Sequence, residues 1–182
     1  MSEWQLWLER LLLTVEPVSA FMRTAWGWPT MESVHFVGLT MLFGSIAVWD
    51  LRLLGMAASV PIAAFHRLVP FSVLGFALNA ASGSTFLMTE PNQYLYNPAF
   101  QFKLLFMTLA GVNIATFYAL FFRRVRTLEG GARAPGALRI IGAVSLMSWA
   151  AVIICGRLIT FYRPTGCPPD EPIAFIATCI VR

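Results

Sequence analysis

The stretch WPTMESVHFVGLTMLFGSIAVWDLRLLG, residues 28–55, decides the fold. Between Ser33 and Trp49 it holds no full charge and can be extended at both ends. A helix needs about 20 such residues to cross roughly 30 Å of hydrocarbon. Three more stretches qualify: Leu68 to Met88, Leu104 to Phe122, and Ile140 to Tyr162, the last with Arg157 inside it. Lipid cannot satisfy unpaired backbone groups, so spans of this kind must be helices. Barrel strands would alternate apolar and polar residues over about ten positions, and no such pattern is visible. The predicted fold is all-α, a four-helix transmembrane bundle.

Composition supports this reading. Hydrophobic residues make up 58% and charged residues 12% of the 182, and mean hydropathy is +0.69. A soluble domain carries about twice that charge density. A cytosolic enzyme, a disordered chain and a nucleic-acid binder are excluded on these grounds. The bilayer is the expected environment, and no nucleic-acid partner is expected.

The few charges also predict orientation. Arg123, Arg124, Arg126, Arg133 and Arg139 gather between spans three and four, against a lone Glu129. Only Glu90 precedes Lys103 between spans two and three. The positive-inside rule makes the Arg-rich loop cytoplasmic. Both termini then lie outside, on the periplasmic face if this is a multi-pass protein of a bacterial inner membrane.

Residues 1–28 read as an outer-face segment, 29–162 as the four-helix domain and 163–182 as an outer-face tail. Trp4, Trp7, Leu8, Leu11, Leu12 and Val15 recur at helical spacing, as in an amphipathic interfacial helix. A helix packed on a partner subunit needs the same stripe. The acidic start and missing cleavage site argue against a signal peptide. Cys155 reads as a small core residue. Cys167 and Cys179 fall in the outer tail, where a disulfide is plausible. The chain shows no internal repeat, Gly-rich phosphate loop, CxxC or Ser-His-Asp spacing.

Ionisable residues inside spans are costly and therefore informative. Counting 1.5 Å per residue from Met41 puts His35 roughly 9 Å and Glu32 roughly 13 Å toward the outside. Lys103 and Arg157, counted from Gly111 and Trp149, each lie roughly 12 Å outward. Ser82 and Ser84 reach the same layer. Glu32 and His35 are three apart and share a helix face. Lys103 is also the only lysine among thirteen basic residues. This layer is the candidate cofactor site, with His35 as the metal ligand. The bland alternative has Lys103 and Arg157 snorkelling to headgroups.

A second group, Asp50, Arg52, His66 and Arg67, falls at the inner end. It reads as a helix hairpin whose charges set topology and pair with one another. His35 and His66 are about 25 Å apart by the same counting, so they cannot share one haem within the chain. Met41 and Met107 lie deeper than His35. Lys103 has the right depth for a sixth ligand, but it would have to be deprotonated to bind iron.

Residues 28–55, HRLVPFSVLGFALNAASG (66–83) and NPAFQFKLLFMTLAGVN (97–113) together resemble a bacterial family of small four-helix membrane proteins of unassigned function. The resemblance covers roughly residues 20 to 125, and DLRLLG and NPAFQFK are its most specific strings. More remotely the layout is similar to the membrane protoporphyrinogen oxidases, which bind b-type haem, and to the copper-resistance D proteins. His35, Arg52 and Lys103 occupy places matching the oxidases' first-span histidine, nearby Arg and later lysine. Gln101 stands where their second histidine would be.

The resemblance implies a redox membrane protein with haem b on His35. Lys103 and Arg157 would meet propionates or a quinone, and Glu32 would orient His35 or relay protons. Electrons would pass between a quinone and a periplasmic partner. The competing expectation is a cofactor-free anchor or accessory subunit, in a larger complex or a homo-oligomer. A small transporter or copper-handling protein ranks third, because soft-metal clustering of Met, His and Cys is lacking.

Overall fold

The computed structural model describes residues 16–57, 59–125 and 134–162. The amphipathic stripe of residues 4–15, most of the Arg-rich loop, and Cys167 and Cys179 lie outside the described residues. Within them the chain is all-α, with no strand. Four helical stretches are long and apolar enough to cross a membrane: Gly27–Leu54, His66–Thr89, Pro98–Phe121 and Gly136–Leu158. Four apolar helices among the described residues fit a multi-pass membrane protein.

The long helices are α1 (Gly27–Leu54), α2 (Val69–Thr89), α3 (Pro98–Thr116) and α4 (Gly136–Leu158). Each begins or ends where the sequence dictates. Gly55 closes α1 at φ 110°, a left-handed conformation that glycine adopts at little cost. Its N–H bonds to Arg52 and that of Met56 to Leu51, the two crossed bonds of a Schellman motif. Pro70 lies in the first turn of α2 and Pro98 in that of α3, where a missing N–H is harmless. A 3-10 turn, His66–Leu68, leads into α2, and a π-helical turn, Phe117–Phe121, continues α3. The short helix Glu16–Met22 precedes α1 and packs on α2. Helix α1 starts at Gly27, slightly before the boundary expected at residue 29.

The four helices pack in the order α2, α1, α4, α3. Small residues set the close contacts, as expected where lipid supplies no hydrophobic drive between helices. A Cβ on Gly38 would sit 3.0 Å from the Gly75 carbonyl, and one on Gly75 would sit 2.5 Å from the Leu42 nitrogen. Helices α1 and α2 therefore cross backbone to backbone. Gly142 brings α4 to α1 beside Asp50 and Leu53. Asn97 joins α3 to the far end of α4: it caps α3 through Ala99 and donates to the carbonyls of Ile159 and Tyr162, at 3.0 and 2.6 Å.

Helices α2 and α3 stand at the two ends of this order and do not pack closely on each other. A cluster of Leu53, Ile62, Phe117, Val125, Ala134 and Leu138 seals the Asp50 end. Val37, Phe71, Val112, Leu120, Ile140 and Met147 are more than half exposed, as lipid-facing residues are.

Candidate functional site

His35, two turns into α1, meets Ser82 of α2. Its Nδ1 lies 2.8 Å from the Ser82 hydroxyl. Ser82 is buried, and its own hydrogen goes to the Leu78 carbonyl at 2.6 Å. The hydroxyl therefore accepts from His35, which assigns the proton to Nδ1 and leaves a lone pair on Nε2. Phe86 meets the imidazole edge-on at 5.8 Å, and Trp28 packs on Phe86 at 5.0 Å. Phe86, one turn after Ser82 on α2, keeps the ring beside its hydrogen-bond partner.

Lys103 reaches this layer from the first turns of α3. Its Nζ stands 3.8 Å from the place of a Cβ on Gly156, so α4 leaves room for it there. It interacts electrostatically with both His35 and Cys155. Cys155 is a free, buried thiol, as expected from its place in span four. His35 and Ser82 are in hydrogen-bond contact, and Lys103 and Cys155 lie at the same end of the bundle, near enough to act on one another electrostatically.

The other members of the expected layer point elsewhere. Arg157 is exposed, donates to the Thr160 hydroxyl at 3.2 Å and lies 5.0 Å from the Phe161 ring centre. Successive helical residues are about 100° apart, so with Gly156 turned to Lys103 its neighbour faces outward. Glu32 is exposed, and Ser84 bonds within its own helix to Ala80. Gln101 donates to the Leu95 carbonyl at 3.3 Å, and its Oε1 is buried without a hydrogen-bond partner among the described residues.

At the opposite end lie the charged residues of the helix hairpin. Asp50 and Arg52 are both buried, at 3% and 1% exposure. Residues two apart on a helix face different ways. Arg52 donates through Nε to the Val60 carbonyl at 2.7 Å, fastening the loop after α1. Asp50 turns to α4, where Ser145 hydrogen-bonds it. His66 sits among Trp49, Tyr118 and Phe122, with ring centres 5.2 to 6.3 Å away. Sixteen residues separate His66 from Ser82, about 24 Å along the helix. The two histidines serve different ends of the bundle.

A lateral cleft of about 870 Å³ lies between α2 and α3, with α1 and α4 as its floor. It runs from Leu42 to Leu53 along α1, about 16 Å. Asp50, Ser45, Asn113 and Ser145 are polar points in a wall otherwise rich in Leu, Phe and Trp. Single-helix periodicity gave no sign of this cleft, since four helices line it. The π-helical turn was also missed, although such turns recur at functional sites. It carries Phe117 and Tyr118 into the lining.

Comparisons of the chain with protein-family models, with curated proteins and with solved structures return no match.

Proposed function

We propose that this chain is an integral membrane redox protein in which His35 is the protein ligand of a b-type haem. What supports the reading is the imidazole itself. A ligating histidine almost always donates its other ring N–H to a fixed acceptor, which holds the ring and sets the tautomer. Ser82 is that acceptor here, and Nε2 is left for iron. Lys103 places an amine in the same layer, a donor suited to a propionate carboxylate. Glu32 and Arg157, exposed at the same end, belong to the surface that a redox partner would meet.

A haem held there supplies one-electron transfer. The protein's own part is to bind it through His35, fix the ring through Ser82 and shield the site with Phe86 and Trp28. By the positive-inside rule, the Arg-rich connection supports an outer-face position for the His35 end. Electrons would then pass between membrane quinone and an outer-face partner.

The test is the absorption spectrum of detergent-purified protein. Soret and alpha bands are expected in wild type and lost in His35→Ala. A colourless protein co-purifying with a stoichiometric partner would favour the cofactor-free anchor instead.

A further inference from the structure

We infer that the cleft between α2 and α3 binds lipophilic organic cations, quaternary ammonium or phosphonium ions whose charge is wrapped in apolar groups. The inference goes beyond the redox reading and does not use His35. Its ground is the make-up of the cleft wall. Asp50 is the one carboxyl in the lining, and no Lys, Arg or His lines it among the described residues. Six aromatic side chains do: Trp49, Phe65, Phe76, Phe117, Tyr118 and Trp149. An ionisable residue held inside a span is costly and marks a functional site by default. Here it stands among rings, whose negative faces attract quaternary cations.

The rings can be touched, and the carboxyl need not be. Phe76 on α2 and Tyr118 beyond α3 are 45% and 38% exposed, so both sides of the opening present ring surface. Asp50 is buried, with Ser145 hydrogen-bonded to its carboxyl. A negative charge there acts on an occupant through space, and more strongly than in water because the wall has a low dielectric constant. Ser45, Ser72 and Thr108 each spend their hydrogen on a carbonyl of their own helix. The wall is thus distinguished by its rings and its single acidic group, which suit a cation that has no N–H to satisfy.

An occupant enters sideways from lipid, because the cleft opens where α2 and α3 do not pack closely. At about 870 Å³ it falls within the roughly 300–1,000 Å³ of small-molecule sites. An anionic lipid head or fatty acid would bring negative charge towards Asp50 and is disfavoured.

The experiment measures radiolabelled tetraphenylphosphonium binding to the full-length protein in detergent by equilibrium dialysis, with empty micelles subtracted. Tetraphenylborate, an anion of the same shape, separates selection by charge from selection by size. Asp50→Asn removes the carboxylate and keeps the side chain's shape. Gly111→Phe fills the cleft from α3, where a Cβ meets nothing within 4 Å. Glu90→Gln removes an exposed carboxylate that does not line the cleft. Gel filtration and helical circular dichroism establish that each variant is folded, and either cleft variant decides without the other.

Saturable phosphonium binding is expected in wild type and in Glu90→Gln, weakened at least about tenfold in Asp50→Asn and in Gly111→Phe. Tetraphenylborate is expected to show no saturable binding. Absence of saturable phosphonium binding would overturn the inference. So would tetraphenylborate binding as tightly, or phosphonium binding unchanged in Asp50→Asn or in Gly111→Phe. Equal weakening in Glu90→Gln and Asp50→Asn would also overturn it, since surface charge alone would then account for the binding.

Discussion

The imidazole of His35 and the hydroxyl of Ser82 meet at 2.8 Å across 47 residues of sequence. That bond joins α1 to α2 and decides which ring nitrogen of His35 is available. Removing the Ser82 hydroxyl leaves Nδ1 without its acceptor in an apolar layer. Ser82→Ala is expected to lower stability by about 1–3 kcal/mol, measured by unfolding in mixed detergent micelles. If His35 holds haem, the same variant should also weaken retention by about 10–100-fold, read from the Soret band during competition with apomyoglobin.

The Gly38–Gly75 crossing predicts a contrast between glycines. A side chain on Gly75 would meet backbone at 2.5 and 2.7 Å, and backbone cannot swing away. Gly75→Val is expected to separate α1 from α2, losing about 3 kcal/mol or more. Gly44→Ala, on the same α1, meets nothing within 4 Å. It should leave the midpoint of micelle unfolding unchanged. Equal effects of the two substitutions would show that the crossing does not hold the bundle.

Asn97 is wholly buried and makes three bonds at once, as cap of α3 and as donor to two carbonyls near the end of α4. Asn97→Ala is expected to cost about 1–3 kcal/mol. Asn97→Asp keeps the cap acceptor but loses both donated bonds. It should therefore loosen the α4 end, with faster proteolysis near Tyr162, while α3 stays helical. Wild-type proteolysis rates in Asn97→Asp would refute the clamp.

Orientation can be read with an impermeant maleimide in a chain whose Cys155, Cys167 and Cys179 are replaced by Ser. Glu90→Cys and Ala137→Cys are exposed positions at opposite ends of the bundle. The Arg distribution predicts that Glu90→Cys is labelled in intact spheroplasts and Ala137→Cys only after lysis. The reverse pattern would invert the topology and move the His35 layer to the inner face.

Much of the candidate layer was legible by counting. His35, Lys103 and Ser82 share one depth because helical rise is fixed, so depth follows from position in a span. Which of them face one another did not follow. Arg157 has nearly the same depth as Lys103, yet it turns outward to Thr160 and Phe161. Cys155 is buried as a core residue should be, and its electrostatic link to Lys103 depends on how α3 and α4 face each other. Rotation about the helix axis depends on the partner helix, and α4 presents Gly156 rather than Arg157 to Lys103.

Asp50 marks the wider limit. In the sequence it is one charge beside Arg52 at the end of an apolar run, and topology explains it well enough. In the structure it is buried against Ser145, at the wall of a cleft formed by all four helices.

The sequence by itself determined that the chain crosses the membrane as four helices, because lipid forbids unpaired backbone and hydropathy is a sum over neighbours in the chain. Counting along the spans also put His35, Ser82 and Lys103 at one end of the bundle. Only the tertiary structure decided the order α2, α1, α4, α3, and with it the opening between α2 and α3. That order depends on where glycines let backbones approach, a relation between helices that no single helix contains.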